Sequence, residues 1–260
     1  MIGGVTFALI AWGAIVGVFA GWVRGFAGFG FSVICVAGLV WFTSPETIVP
    51  VVFVLEILVT VFVWREAFIN LDQKWLKNSI SGSLITLPLG AMMLVWLPEA
   101  TLKLTVSILL FVGALGVRFS IRSHWPDTFA TRFICGALMG IFSGISASGG
   151  VVGAMVMSAT GLAPKTLRAT MVYMLLFSGV YTLICLSVIS MISGQSSSVW
   201  STESWVWLCV LGLAMLIGLH LGGKKFKKTP SNDYRTFVLN LIMIISSVGI
   251  IRALSHKPNQ

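Results

Sequence analysis

From residue 1 to Pro45 the sequence carries one charged side chain, Arg24, inside an apolar run that fits no single crossing of a bilayer. As one straight helix, residues 5–42 would be about 57 Å long, against a hydrocarbon core of about 30 Å. The run must fold back on itself. The stretch Arg24-Gly25-Phe26-Ala27-Gly28-Phe29-Gly30-Phe31-Ser32 marks the bend. Each glycine there costs a helix roughly 1 kcal/mol relative to alanine. In lipid, an opened backbone survives only where it is buried in protein or lines a water-filled cavity. An arginine beside such an opening is costly, about 2.5–3.5 kcal/mol at mid-bilayer on insertion scales. An anion is the natural group to offset that cost, so the break is expected at residues 25–30 and the working centre beside it.

The rest of the chain repeats this arrangement. Residues 47–64, 79–97 and 102–117 read as three spans. Then Arg132 precedes a short apolar segment, 133–145, the cluster Ser146-Ala147-Ser148-Gly149-Gly150, and a second short segment, 151–161. Three further spans follow at 170–192, 205–221 and 237–251. Pro45 and Pro164 lie 119 positions apart, and at that offset Gly17, Gly21, Gly25, Gly30 and Thr47 fall on Gly136, Gly140, Gly144, Gly149 and Thr166. With 57% hydrophobic and 10% charged residues in 260, the chain reads as an all-α integral membrane protein. The expected architecture is two inverted repeats, each a broken or re-entrant helical hairpin followed by three transmembrane helices. The repeats are assigned to residues 1–119 and 133–254, with a cytoplasmic linker at 120–132 and a tail at 255–260.

Loop charges orient this arrangement, because cytoplasmic loops concentrate lysine and arginine. With the N-terminus outside, the inward loops hold Arg65, Lys74, Lys77, Arg118, Arg122, Arg132, Lys165, Arg168, Lys224, Lys225, Lys227, Lys228 and Arg235. The outward connections 43–46, 98–101 and 193–204 hold none; only Arg252 and Lys257 in the tail run against the rule. Three spans after a hairpin is an odd number, so the second repeat enters the membrane upside down. Both termini are expected outside a cell inner membrane crossed many times. Opposed broken helices meeting near the midplane are a recurring design of secondary transporters. The net charge of +9 is explained by these loops, and no basic helix or recognition motif points to nucleic acid. The partners expected are a small anionic substrate and the lipid bilayer, and a homodimer is compatible with the sequence.

Residues 24–31, followed by Pro45-Glu46 and a long apolar helix ending in Trp64-Arg65, resemble the TauE/SafE family of membrane permeases. Gly144 to Gly150, then Gly161-Leu162-Ala163-Pro164-Lys165, resemble that family's second motif, so the resemblance covers both halves. It implies transport of sulfite, of sulfonates such as sulfoacetate, or of other small sulfur-containing or carboxylic anions. On this reading the protein is a secondary transporter working by alternating access, with export and proton coupling as the expected mode. Uptake of a carboxylate or another sulfur anion, and a passive anion channel, are the alternatives.

Arg24 is weighed as a substrate contact against a snorkelling or structurally paired cation. Gly25, Gly28, Gly30, Ser32, Ser146, Ser148, Gly149 and Gly150 offer what an oxyanion needs: approachable backbone N–H groups, hydroxyl donors and helix N-termini. Against this, small residues pack helices closely in any membrane bundle. Glu56, the one acid deep inside a span, either pairs with Arg24 or carries a coupling proton, or else holds a neighbouring helix by a hydrogen bond. Lys165 and Arg168 read as a cytoplasmic anion vestibule or as plain topology determinants. Cys35, Cys135, Cys185 and Cys209 show no metal-ligand spacing, and His124, His220 and His256 are scattered. Gly144-Ile145-Ser146-Ala147-Ser148 misses the nucleophile-elbow pattern at its fifth position. No cofactor, no metal and no enzymatic activity are expected.

Overall fold

The computed structural model describes residues 6–40, 42–98, 125–192 and 201–226, with single positions at 101, 105 and 108. The expected span at 237–251, most of that at 102–117, positions 120–124 of the linker and the tail lie outside the described residues. Among the described residues there are eight helices and no strand. They are α1 (Phe7–Ala27), α2 (Phe31–Leu39), α3 (Pro45–Phe68), α4 (Gln73–Trp96), α5 (Phe129–Ser146), α6 (Gly149–Ala159), α7 (Pro164–Ile192) and α8 (Thr202–Phe226). Five of these, α1, α4, α5, α7 and α8, are long and apolar enough to cross a membrane. Their outer faces expose Phe7, Ile15, Phe19, Ile85, Leu89, Ile184 and Ile217, side chains that lipid accommodates and water does not. The chain is a multi-pass membrane protein.

Helix boundaries follow from local chemistry. Pro45 and Pro164 open α3 and α7, where a missing N–H costs nothing and a fixed φ suits the first turn. The Asp72 carboxylate accepts from the N–H groups of Lys74 and Trp75 at 2.9 and 3.0 Å, and so starts α4. That cap places the start of α4 six residues before the expected position at Ser79, so residues 73–78, which lie between the expected spans 47–64 and 79–97, are helix. The Thr128 hydroxyl accepts from Thr131 N–H and opens α5.

Two seams hold the bundle. Along α1, Gly13, Gly17, Gly21 and Gly25 recur at one-turn spacing against α8, whose Gly218 and Gly222 lie against the backbone of α1 in return. Along the second seam Gly136, Gly140 and Gly144 of α5 face Gly82 and Gly90 of α4. A side chain at Gly21 would meet the Met215 backbone, and one at Gly144 the backbone of Gly90 and Ala91. Close backbone approach of this kind drives helix association where lipid removes the hydrophobic incentive. Hydroxyl rungs add to the second seam. Ser79 donates to the Arg132 carbonyl (3.0 Å), Ser83 to Gly136 (2.7 Å) and Thr86 to Ala137 (2.7 Å).

The order of these contacts gives directions. Positions 13, 17, 21 and 25 of α1 meet positions that rise together along α8, so the pair is parallel, and α4 and α5 are parallel by the same test. The Asp72 N–H donates to the Thr170 hydroxyl and the Tyr181 hydroxyl to the Leu84 carbonyl, which makes α4 and α7 parallel. Phe68 meets Tyr173 while Phe53 and Ile57 meet Gly179, so α3 and α7 are antiparallel.

Both short helices return along a longer one. The Trp12 indole N–H donates to the Gly38 carbonyl (3.0 Å), and Gly30 lies against Val23, so α2 retraces α1. Trp125 N–H donates to the Ala159 carbonyl (3.1 Å), which brings the end of α6 to the foot of α5. From Trp12 to the bend is about 24 Å of helix, and α5 is about 27 Å long.

Candidate functional site

The first bend is narrower than residues 25–30. Helix α1 continues through Gly25, Phe26 and Ala27, and the chain turns only at Gly28 and Gly30, with φ of 83° and 95°. Both values belong to the left-handed region that side chains avoid, so these two glycines make the turn. Gly25 remains helical because contact with the backbone of α8 outweighs its intrinsic cost in a helix. The second bend is reduced to Ala147, at φ 54°, and Ser148, since Ser146 ends α5 and Gly149 and Gly150 open α6.

Arg24 stands in the last turn of α1 and is 2% exposed; Glu56, midway along α3, is 1% exposed. Arg24 Nη2 approaches Glu56 Oε2 to 2.9 Å in a fully enclosed ion pair. Arg24 Nη1 donates to the Gly28 carbonyl, while Gly28 N–H donates back to the Arg24 carbonyl at 2.9 Å. The arginine thus clasps the turn that ends its own helix and ties that turn to α3. The Nη2 to Oε2 approach is not directed along an N–H bond. Arg24 Nε, Arg24 Nη2 and both Glu56 oxygens therefore keep unused hydrogen-bonding capacity inside the protein. Such capacity is expensive in a low-dielectric interior, where satisfied polar groups are the rule.

A second guanidinium arrives from across the fold. Arg168, on the second turn of α7, donates from Nη2 to the Gly25 carbonyl at 3.0 Å, and its stem lies where a Gly28 side chain would be. Two arginines therefore meet the negative end of α1, which favours cations. Lys165 is exposed at the head of α7. Of the two residues read together as a vestibule, Arg168 reaches the first turn and Lys165 remains at the surface.

The two bends touch. A side chain on Gly150 would lie 3.5 Å from Phe29 Cβ, between the two glycines of the first turn. Ser32 is buried in the first turn of α2, which Gly30 precedes without any side-chain cap. Helix α6 is likewise uncapped: Ser148 stands at the cap position, but its hydroxyl lies 2.6 Å from that of Ser146. Both hydroxyls fall back on the Phe142 carbonyl. Among the described residues, two helix N-termini thus open inside the protein with no side-chain cap on their first N–H groups, which is the preparation an anion requires. The Glu56 carbonyl accepts from the Thr60 hydroxyl at 2.9 Å. Among the described residues no cluster of histidine, cysteine and acidic side chains is arranged to hold a metal ion.

Sequence reasoning did not foresee the contact between Arg168 and Gly25, residues 143 positions apart, because nothing local to Arg168 signals it. It also gave no weight to Ser143, a buried hydroxyl one turn before the second bend.

Comparison with known proteins adds one match. A family model described as Sulfite exporter TauE/SafE matches residues 13–248. A comparison with curated proteins gave no match. The chain belongs to the TauE/SafE family, a family of transporters.

Proposed function

We propose that this TauE/SafE protein is a secondary transporter carrying a small organic or inorganic anion, a sulfonate or sulfite, out across the cytoplasmic membrane by alternating access, with Glu56 carrying a coupled proton. The observation that carries the reading is the enclosed Arg24–Glu56 pair at the foot of a broken helix, with donors of Arg24 left unused. Burying two charges costs several kcal/mol per ion before their attraction is counted, so an incompletely bonded pair is a poor structural brace. It suits a site whose third participant comes and goes. An anion entering between the bends meets the spare donors of Arg24 and the opened N-termini of α2 and α6. Its arrival repels the Glu56 carboxylate, and a proton on Glu56 relieves that repulsion. This links anion binding to proton uptake.

Residues 1–119 and 133–254 then act as inverted repeats joined at 120–132. Direction supports the inversion. In this reading the short connection from Leu39 to Pro45 turns α3 back along α2, so that α3 runs with α1; α7 opposes α3, α4 runs with α7, and α5 with α4. Hence α5 points opposite to α1, and α8 runs with α1 although its counterpart α4 opposes it. Length supports it too. Arms of about 24 and 27 Å entering from opposite faces and touching at their tips span roughly the 40–45 Å of a bilayer with its headgroup layers included, once ordinary tilt is allowed for. Loop charges support an outside position for both termini.

The test is a thermal-shift screen of the purified protein against sulfite, sulfonates, carboxylates and sulfate. A ligand of the folded state raises its apparent stability by mass action. Stabilisation by sulfite or a sulfonate is the expected result. A preference for carboxylates redirects the substrate assignment, and no shift with any oxyanion contradicts the reading.

A further inference from the structure

One group at the second bend remains outside the account so far. Ser143 is 1% exposed, and its hydroxyl has no hydrogen-bond partner among the described residues. A serine inside a helix ordinarily donates to the carbonyl four residues back, here that of Met139. Ser143 does not. Its Oγ lies instead where a side chain on Gly149 would sit, in the first turn of α6, and that same space adjoins the Met139 carbonyl. Glycine at 149 has ordinary backbone angles, so its role is spatial. It lets the N-terminus of α6 settle directly over the Ser143 hydroxyl. Ser146 and Ser148 bond to each other and to Phe142, which leaves the opening N–H groups of α6 without a side-chain cap.

We propose that Ser143 is a substrate ligand: its hydroxyl donates to one oxygen of a small oxyanion whose neighbouring oxygen is held by the N–H groups opening α6 at Gly149 and Gly150. This rests on the transporter reading and deepens it. The second hairpin supplies neutral, directional donors, whereas Arg24 on the first supplies charge already shared with Glu56. The substrate class is an anion with at least two oxygens on one centre, such as a sulfite, sulfonate or carboxylate group. An unpartnered hydroxyl in a buried site costs stability in the empty state, and a ligand that accepts from it removes that cost. A neutral donor to a charged acceptor is also among the stronger hydrogen bonds.

The experiment measures sulfite affinity by titration calorimetry on parent, Ser143→Ala and Ser178→Ala proteins in detergent, with the ligand-free melting temperature of each. Ser178 is an equally buried serine on α7 and controls for the loss of a hydroxyl elsewhere. Without ligand Ser143→Ala is expected to melt at or above the parent, since an unsatisfied hydroxyl is removed, and to bind sulfite at least about tenfold more weakly, while Ser178→Ala binds normally. If Ser143→Ala binds as tightly as the parent, Ser143 is not a ligand and the transporter reading stands untouched. If the parent itself binds neither sulfite nor acetate nor methanesulfonate, that reading fails and this inference fails with it.

Discussion

Replacing Glu56 by leucine strands Arg24. The guanidinium is 2% exposed, its other partner among the described residues is the carbonyl of Gly28, and it cannot discard its charge. Breaking a buried pair by removing one partner costs about 3–5 kcal/mol, and Glu56→Leu is expected to fall in that range. Arg24→Met strands a carboxylate, which can take up a proton and become neutral. Its cost should drop towards the penalty of an unbonded polar group, about 1–3 kcal/mol. The double variant removes both charges, and apolar replacement of a whole buried pair is often neutral or better. It should therefore be more stable than Glu56→Leu by at least about 2 kcal/mol. Equilibrium unfolding in mixed micelles, followed through the ten tryptophans, measures all four proteins and closes the cycle. The reasoning is refuted if Glu56→Leu costs no more than Arg24→Met, or if the double variant is no more stable than Glu56→Leu.

The remaining predictions concern binding, topology and packing. Arg24→Lys keeps the charge but loses the planar fork, so it should weaken anion binding less than Arg24→Ala, for which a loss of roughly 30-fold or more is expected by equilibrium titration. In a cysteine-free background, a cysteine at Ser44 should react with an impermeant maleimide from outside and one at Asn70 only from inside; the reverse pattern would end the inverted-repeat proposal. Gly136→Val drives a side chain into the backbone of Ser79 and should abolish a monodisperse folded protein on size exclusion, whereas Gly223→Ala, which has open space, should behave like the parent.

The break in the first apolar run was legible in the sequence because the run is too long for one straight crossing, and because Gly28 and Gly30 offer a turn that other residues resist. Glu56 was legible as a partner for Arg24 since no other acid lies inside a span. Gly25 was read as part of the break because glycine on a helix seam and glycine in a turn look alike in one dimension. The α8 backbone that keeps Gly25 helical lies some two hundred residues further along. The start of α4 was placed late even though Asp72 is a recognisable cap, because a polar connector masks a capped helix when only hydrophobicity is followed. Arg168 and Ser143 acquire meaning only after folding. One reaches the first bend from the head of α7, and the other is covered by α6 where Gly149 permits it.

The central claim is that an oxyanion is carried by a saturable site containing Arg24. Counterflow in proteoliposomes tests it most directly: vesicles preloaded with unlabelled sulfite are diluted into a trace of radiolabelled sulfite. The account predicts transient accumulation of label that saturates with concentration and is lost in Arg24→Ala protein reconstituted to the same level. Flux that neither saturates nor responds to internal sulfite, or that persists unchanged in Arg24→Ala, would contradict it.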